Sequence, residues 1–500
     1  MQSYDLDKTL ISFSADKQSD WTIREAVEGV QIFGGIGSGK TSGSGRMIAL
    51  KYLLNDFGGL VLTAKADEKD LWIDYCREAN RLDDLIIVEP GGKHFFNFLQ
   101  YESDYKIGGM SITENIVQVL KTVIQSSEEK SSGKNDDPFW ETALDMLIFN
   151  VIDLCQLAYG TLSIDQIYDI VQTAPKNETN LALSAEPNSC MFAFKLASDK
   201  ITKQIDTLRL SLSEEDQEKW KTEDGFMDKL IFENLPDAIT FRLINQFFLE
   251  HYKNLNEKTR SIIEFSFSGF LFRLMKEPVF SLFCRHQSTF TPEDSLRGKI
   301  ILLNLPVKHY FKVGRDIQVM FKYIWQRAME RRDVKENGRP LFLWADEAQH
   351  FLHGYDADYQ ATARSSRIAT VYISQNLPNY HANMGGESSQ YKVKSFLGTL
   401  GTKIFHANAD IETNNYASAL IGEKYTASVQ VSKTTASEFS STQSVSAQLE
   451  KSVRPEKFTW LKNGSSINGG VVEGYMHRQG RSFSKDTNYM KIIFNQKPTA

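Results

Sequence analysis

The sequence predicts an α/β protein whose mostly parallel sheet is interrupted by an all-α insertion domain. Three observations lead there. Short apolar runs alternate with helical patterns up to about residue 110, helical periodicity fills residues 111–294, and apolar runs return from residue 299. Strands alternating with helices at this spacing indicate parallel pairing, because a parallel crossover needs a connection of helix length. At 500 residues the chain exceeds one compact core. The expected organisation is residues 1–110 as the first part of the sheet domain and 111–294 as the insertion. Residues 295–425 are then its second part, and 426–500 a Ser/Thr-rich segment with C-terminal strands.

The first strand is Val30-Gln31-Ile32-Phe33, which runs directly into glycines. After Thr41, the residues Met47, Ile48, Leu50, Leu53 and Leu54 fall at helical spacing, and Gly58-Gly59 is a stop signal. Gly59–Thr63 and Asp84–Val88 are the next strands, with a helix through Leu71-Trp72-Ile73 between them. In the insertion, helices are expected over 111–126, 139–157, 195–213 and 258–275, and SSEEKSSGKNDD (126–137) is expected to be a mobile loop. Sheet signals resume at Lys299–Pro306, followed by a helix over 316–332 and strands at Pro340–Ala345, Ala369–Ser374 and Thr402–His406. Residues 426–446 read as a loop or flexible segment, and Tyr489–Phe494 as a final strand.

Composition narrows the function classes. With 41% hydrophobic and 24% charged residues the chain has apolar surface enough to fold throughout. Lys+Arg 57 against Asp+Glu 63, a net charge of −6, excludes a protein that coats nucleic acid by bulk charge. The longest apolar stretch, Met146–Tyr159, is interrupted by Asn150 and Asp153, so no transmembrane helix is expected. Asp5, Asp7 and Asp16 in place of an apolar leader suggest a cytoplasmic protein. The four cysteines are widely spaced and suit reduced thiols.

The sharpest chemical signal is Gly34-Gly35-Ile36-Gly37-Ser38-Gly39-Lys40-Thr41, which satisfies GxxxxGK[ST] between a strand and a helix. About 0.02 chance matches are expected in a chain of this length. The pattern suits ATP with Mg²⁺. Backbone N–H groups of Gly34, Gly35, Gly37, Ser38 and Gly39 would face phosphates, Lys40 would sit on the β/γ-phosphates and Thr41 on the metal. The apolar strand Leu341–Ala345 ends in Asp346-Glu347, where Asp346 would hold Mg²⁺ and Glu347 would polarise an attacking water. Gln375, at the end of another strand, could contact the water or the γ-phosphate. Arg364, eleven residues earlier, and Arg367 are alternative arginines for the nucleotide of an adjacent subunit. Roughly 300 residues separate Lys40 from Asp346, more than a small phosphotransferase needs. His350 and His353 lack metal-ligand spacing and are expected at the surface or between subunits. Lys392, Lys394 and Lys403 are candidate phosphate contacts, while Phe139, Trp140, Phe265, Phe267 and Phe270 suit core packing.

The ordered motifs FGGIGSGKTSG, LVLTAKADEKDL, IIVEPGGKHFFNFL, DPFWETALDMLIF, GKIILLNLP, LFLWADEAQHF, ATARSSRIATVYISQN and GTKIFHANADIETNNYASALIGEKY resemble the TraG/TraD-like coupling proteins of type IV secretion and conjugation, relatives of the FtsK and HerA translocases. The resemblance implies a RecA-like ATPase domain with an all-α insertion, assembled as a hexameric ring that moves DNA or a DNA-protein substrate. It implies ATP binding by Gly34, Gly39, Lys40 and Thr41, metal binding by Asp346, catalysis by Glu347, sensing by Gln375 and a trans-acting arginine at Arg364. Family members usually begin with transmembrane helices; here the glycine loop arrives by residue 34. The expectation is therefore a cytoplasmic protein, peripheral at the inner face of the membrane through a membrane-anchored secretion partner, with a relaxase-like substrate protein. A cytosolic recruitment platform or a motor in mobile-element or defence function is the alternative. The family's Asp-Pro-Lys-Gly-Glu segment reads Thr63-Ala64-Lys65-Ala66-Asp67 here, with Lys65 carried over and Asp67 loosely so.

Overall fold

The computed structural model describes residues 4–14, 19–107, 110–111, 113–128, 138–176, 186–384, 389–435, 439–484 and 487–496. The chain divides into two compact units, Met1–Ile87 with Pro292–Ala500, and Val88–Thr291.

The first unit is built on a nine-stranded sheet in the order Tyr489–Asn495, Val471–Arg478, Thr402–His406, Val30–Phe33, Ile368–Ser374, Leu341–Ala345, Gly58–Leu62, Ile300–Leu303, Leu85–Val88. From Thr402–His406 to Ile300–Leu303 every pairing is parallel, and the two C-terminal strands join antiparallel. The central strands are buried along their whole length, as a sheet covered on both faces requires. One face packs a continuous core that includes Trp21, Tyr52, Trp72, Phe342 and Trp344. The ring of Trp72 stacks on Phe342 with centroids 5.5 Å apart, and Tyr52 stacks on Phe57 at 4.6 Å.

Two elements depart from the sequence reading. Residues 426–435 and 439–446 are not an irregular loop. Glu423–Thr435 and Phe439–Lys451 pair antiparallel in continuous register. The physical reason lies in the alternation Tyr425, Ala427, Val429, Val431 against Thr426, Ser428, Gln430, Ser432, which has the period of a strand and is rich in β-branched residues. Val471–Arg478, read as no element, is an interior strand between Thr402–His406 and Tyr489–Asn495.

Among the described residues the second unit is helical apart from the short pair Lys106–Ile107 and Met110–Ser111. Its principal helices include Thr113–Glu128, Pro138–Tyr159, Cys190–Ser211 and Glu257–Leu274. Pro138–Tyr159 packs against Cys190–Ser211 and Glu257–Leu274 and buries Leu147, Ile148, Val151, Ile152 and Cys155. Asn150 and Asp153 do not interrupt this helix. Asn150 Nδ2 donates to Met146 O at 2.7 Å, and Asp153 accepts from Thr113 Oγ1 at 2.6 Å. Against expectation, this one helix among the described residues is long and apolar enough to cross a membrane by length and composition, and half of the relevant window is buried inside the protein. Phe267 and Phe270 are core residues as expected, whereas Phe139 and Phe265 are exposed. Of the loop expected at 126–137, residues 126–128 continue the helix Thr113–Glu128, and the remainder lies outside the described residues. All four cysteines are buried free thiols.

Candidate active site

Register alone gathers the predicted residues at one edge of the sheet. Ser374 lies opposite Phe33, Tyr372 opposite Ala345, and Leu62 opposite Ala345, all in parallel pairs. The residues that follow these strands, Gly34, Gln375, Asp346-Glu347 and Thr63-Ala64-Lys65, therefore leave the sheet side by side at their C-terminal ends, where open α/β sheets form their ligand crevices.

The glycine loop is pinned to its neighbours by Gly34 N–H to Ser374 O (3.3 Å) and Gly35 N–H to Ala407 O (2.9 Å). Gly37 and Gly39 hold φ of +70° and +80°, and a Cβ on Gly39 would meet Val472 Cγ2 at 2.5 Å. Both conformation and space demand glycine there. The chain then makes a π-helical turn over Thr41–Gly45 before the α-helix Arg46–Leu54. His406 anchors the start of this helix from the adjoining strand. Its Nδ1 faces Glu473 O at 2.9 Å, a carbonyl that can only accept, so Nε2 accepts from Ser44 Oγ at 2.7 Å. Burial pushes the imidazole down to about 4, so it is neutral in this role.

Across from the loop, Asp346 and Glu347 are 3% and 4% exposed. Asp346 Oδ2 accepts from Thr41 Oγ1 at 2.9 Å and Oδ1 from the Glu347 N–H at 2.8 Å. Glu347 itself sits in the left-handed region at φ 49°, ψ 48°, a conformation that costs free energy for a residue with a side chain and is common at functional sites. Its carboxylate accepts from Gln349 Nε2 at 3.0 Å and from Gln375 Nε2 at 3.3 Å, and pairs with Lys65 Nζ at 3.1 Å. Ser374 Oγ holds the other end of Gln349 at 2.9 Å. Burial alone would raise the Glu347 carboxyl. The Gln349 hydrogen bond and the Lys65 and Lys40 charges outweigh it and bring the group down to about 2. Burial pulls Lys65 down, but the Asp346 and Glu347 charges prevail and raise it.

The residues fit a nucleotide with a divalent cation. Ser38 Oγ is buried with no hydrogen-bond partner, and the N–H groups of Gly37, Gly39 and Lys40 donate to no backbone carbonyl, among the described residues. Orphan donors of this kind on a glycine-rich turn form an anion cradle. Among the described residues no group of three or more His, Cys, Asp or Glu could hold a metal by itself. Thr41 and Asp346 would therefore share a Mg²⁺ with phosphate oxygens and water, the donor set this cation favours.

Other predicted residues lie elsewhere. Arg364 precedes the strand Ile368–Ser374, at the end opposite Gln375 and about 20 Å away by strand rise. Its side chain is 61% exposed and pairs with Glu28 at 3.3 Å. Arg367 instead donates to Gly338 O at 2.9 Å and Tyr4 O at 3.4 Å, which ties it into its own subunit. Lys403 is not available to a phosphate backbone: it is 3% exposed, donates to Leu400 O at 2.6 Å, and burial lowers it to about 8. Lys392 and Lys394 are exposed. His353 is not at the surface either; it is buried beside Asp356, and burial lowers it to about 3. Asp356 in turn takes both oxygens to Lys322 Nζ (2.7 and 2.6 Å), which also donates to Phe351 O at 2.7 Å. Arg315 Nε donates to His350 O at 3.0 Å. These bonds brace the segment that follows Glu347. Sequence reasoning missed Gln349 and the brace; its only hint was an amide two positions beyond the acidic pair.

Residues 340–462, from the strand that carries Asp346 to the bridge after the paired strands, match the model of a family described as the TraM recognition site of TraD and TraG. Over these residues the chain is similar to TraD and TraG. The bacterial conjugative coupling protein TrwBdeltaN70, in its unbound monoclinic form, aligns over 96% of this chain and 88% of its own at a TM-score of 0.59 and 13% identity. Plasmid coupling protein TrwB in complex with ADP and Mg²⁺ aligns over 96% and 88% at 0.58 and 12%. The same protein with a non-hydrolysable ATP analogue aligns over 98% and 91% at 0.57 and 14%. At these identities the likeness is one of fold, and this chain shares the RecA-like architecture of TrwB along nearly its whole length. No curated protein matches the sequence.

Proposed function

We propose that this TraG/TraD-like chain is a coupling-protein-like motor that hydrolyses ATP as a six-subunit ring and moves DNA or a DNA-protein substrate. The observation that carries the reading is the hydrogen bond between Thr41 and Asp346 across 305 residues, with Glu347 beside it. It joins a phosphate-binding loop to a general base, the two parts a phosphoryl transfer to water requires. Lys40 and the loop N–H groups bind the triphosphate. Thr41 and Asp346 would hold Mg²⁺, which would supply charge neutralisation for the phosphates. Glu347 takes a proton from the attacking water at a carboxylate oxygen, and Gln375, 3.3 Å from that carboxylate, orients the same water. Lys65 and Gln349 hold Glu347 in place.

In this reading Arg364, exposed and about 20 Å from its own chain's site, acts on a nucleotide bound by a neighbouring subunit. The TrwB structures with ADP and Mg²⁺ or an ATP analogue support ATP as substrate, and the TraD and TraG description supports a TraM-like protein partner over residues 340–462. The chain works at the inner face of the membrane, docked on a membrane-anchored secretion partner. Electron-microscope images of the protein with ATP and double- or single-stranded DNA test the proposal: six-fold rings around a strand and DNA-stimulated ATPase are expected. Monomers whose ATPase ignores DNA would favour a recruitment platform.

A further inference from the structure

Glu68 opens the helix Glu68–Glu78, just beyond Lys65. Its Oε2 accepts from the Ala64 N–H at 2.8 Å and closes the strand-to-helix turn. Its Oε1 has no such duty: it is buried and has no hydrogen-bond partner among the described residues. The hydroxyl of Tyr75, two turns along the same helix, is in the same condition. The two residues are 6% and 4% exposed. Both line a cavity of about 10 Å³ with Thr41, Leu62, Leu71, Trp72, Trp344 and Asp346. That volume suits a single water and is far too small for a hydrated cation.

Buried polar atoms seldom lack a partner, and two such atoms on residues lining one cavity point to a ligand bound there. The walls otherwise contributed by Leu62, Leu71, Trp72 and Trp344 are mainly apolar, so the water's remaining partners are Thr41 and Asp346. We propose that Glu68 and Tyr75 are positioning residues for the divalent cation: they hold one water against Asp346 and so set the affinity of the site for Mg²⁺ without touching the nucleotide. The inference rests on the ATP and Mg²⁺ reading given above. The water fixes the direction in which Asp346 presents its oxygens. Partners that orient a metal-binding carboxylate in this way typically change metal affinity about 10- to 100-fold.

The test uses the full chain and two variants, Glu68→Gln and Tyr75→Phe. Tyr75→Phe deletes an atom that makes no hydrogen bond within the described protein, so it leaves the fold intact. Binding of a fluorescent ATP analogue is followed as Mg²⁺ is added and again in EDTA, and Mn²⁺ uptake is followed by electron paramagnetic resonance. The proposal expects Glu68→Gln to lower Mg²⁺ and Mn²⁺ affinity about 10-fold, Tyr75→Phe to lower it by a smaller factor, and metal-free nucleotide binding to stay unchanged in both. Variants whose metal titrations coincide with the wild type overturn the proposal alone. A wild-type chain that takes up neither nucleotide nor Mn²⁺ overturns the parent reading and the proposal with it.

Discussion

Replacing Lys65 by Met removes the ammonium 3.1 Å from Glu347 while keeping an apolar stem of similar length. Glu347 is nearly inaccessible, its side chain 6% exposed, whereas Lys65 is 30% exposed. A hydrogen bond to a charged group contributes about 1.5–3 kcal/mol, and partial exposure places this one near 1.5. Gln349, Gln375 and Lys40 remain as partners, so Glu347 stays ionised at neutral pH. The assay is urea unfolding followed by the fluorescence of Trp72 and Trp344, which lie in the core beneath the site. Lys65→Met should cost about 1.5 kcal/mol in the wild-type background and close to nothing once Glu347 is Gln. A cost of the same size in both backgrounds would mean that Lys65 acts on the fold and not on this carboxylate, and the electrostatic argument would be refuted.

Arg364→Ala should abolish ATPase, yet mixing it with Glu347→Gln subunits should restore part of the rate, since each mixed interface can combine an intact base with an intact arginine; no recovery at any mixing ratio would remove the trans role. Gly37→Ala and Gly39→Ala both place a side chain at positive φ, at about 1–2 kcal/mol each, but only Gly39→Ala also collides with Val472, at 2.5 Å. The second variant should therefore lose more stability and more ATP affinity, and calorimetric equality between the two would contradict the packing. His406 is lowered from 6.5 to about 4, so the unfolded chain takes up the proton first. Its contribution is complete above pH 6.5 and is lost as pH falls through about 4, on the order of 3 kcal/mol. The midpoint of thermal unfolding should fall across that window, and less steeply in His406→Gln.

Much of the motor was legible because its strands are buried on both faces. Runs such as Leu341–Ala345 and Ile368–Ser374 are predominantly apolar, run into Asp346 and Gln375, and declare themselves without knowledge of their neighbours. Val471–Arg478 escaped because Glu473, His477 and Arg478 look like surface residues. They are buried through partners remote in sequence, Lys491 for Glu473 at 2.8 Å and Glu25 for Arg478 at 3.0 Å. Lys403 misled for the complementary reason: a lysine in a strand is normally exposed, and its burial follows from the antiparallel pair Lys403 and His477. The glycine loop, Asp346 and Glu347 were readable as motifs. Of the residues that govern Glu347, Lys65 was carried over by resemblance without a role and Gln349 was not singled out, because their contacts with this carboxylate appear only in the folded site.

The central claim is that ATP bound by the Gly34–Thr41 loop is cleaved with Glu347 as the base. Single-turnover hydrolysis of ATP by Glu347→Gln, with nucleotide binding measured on the same sample, tests it most directly. Unchanged ATP binding with hydrolysis slowed roughly 10²- to 10⁴-fold is the expected result. Hydrolysis at the wild-type rate would contradict it.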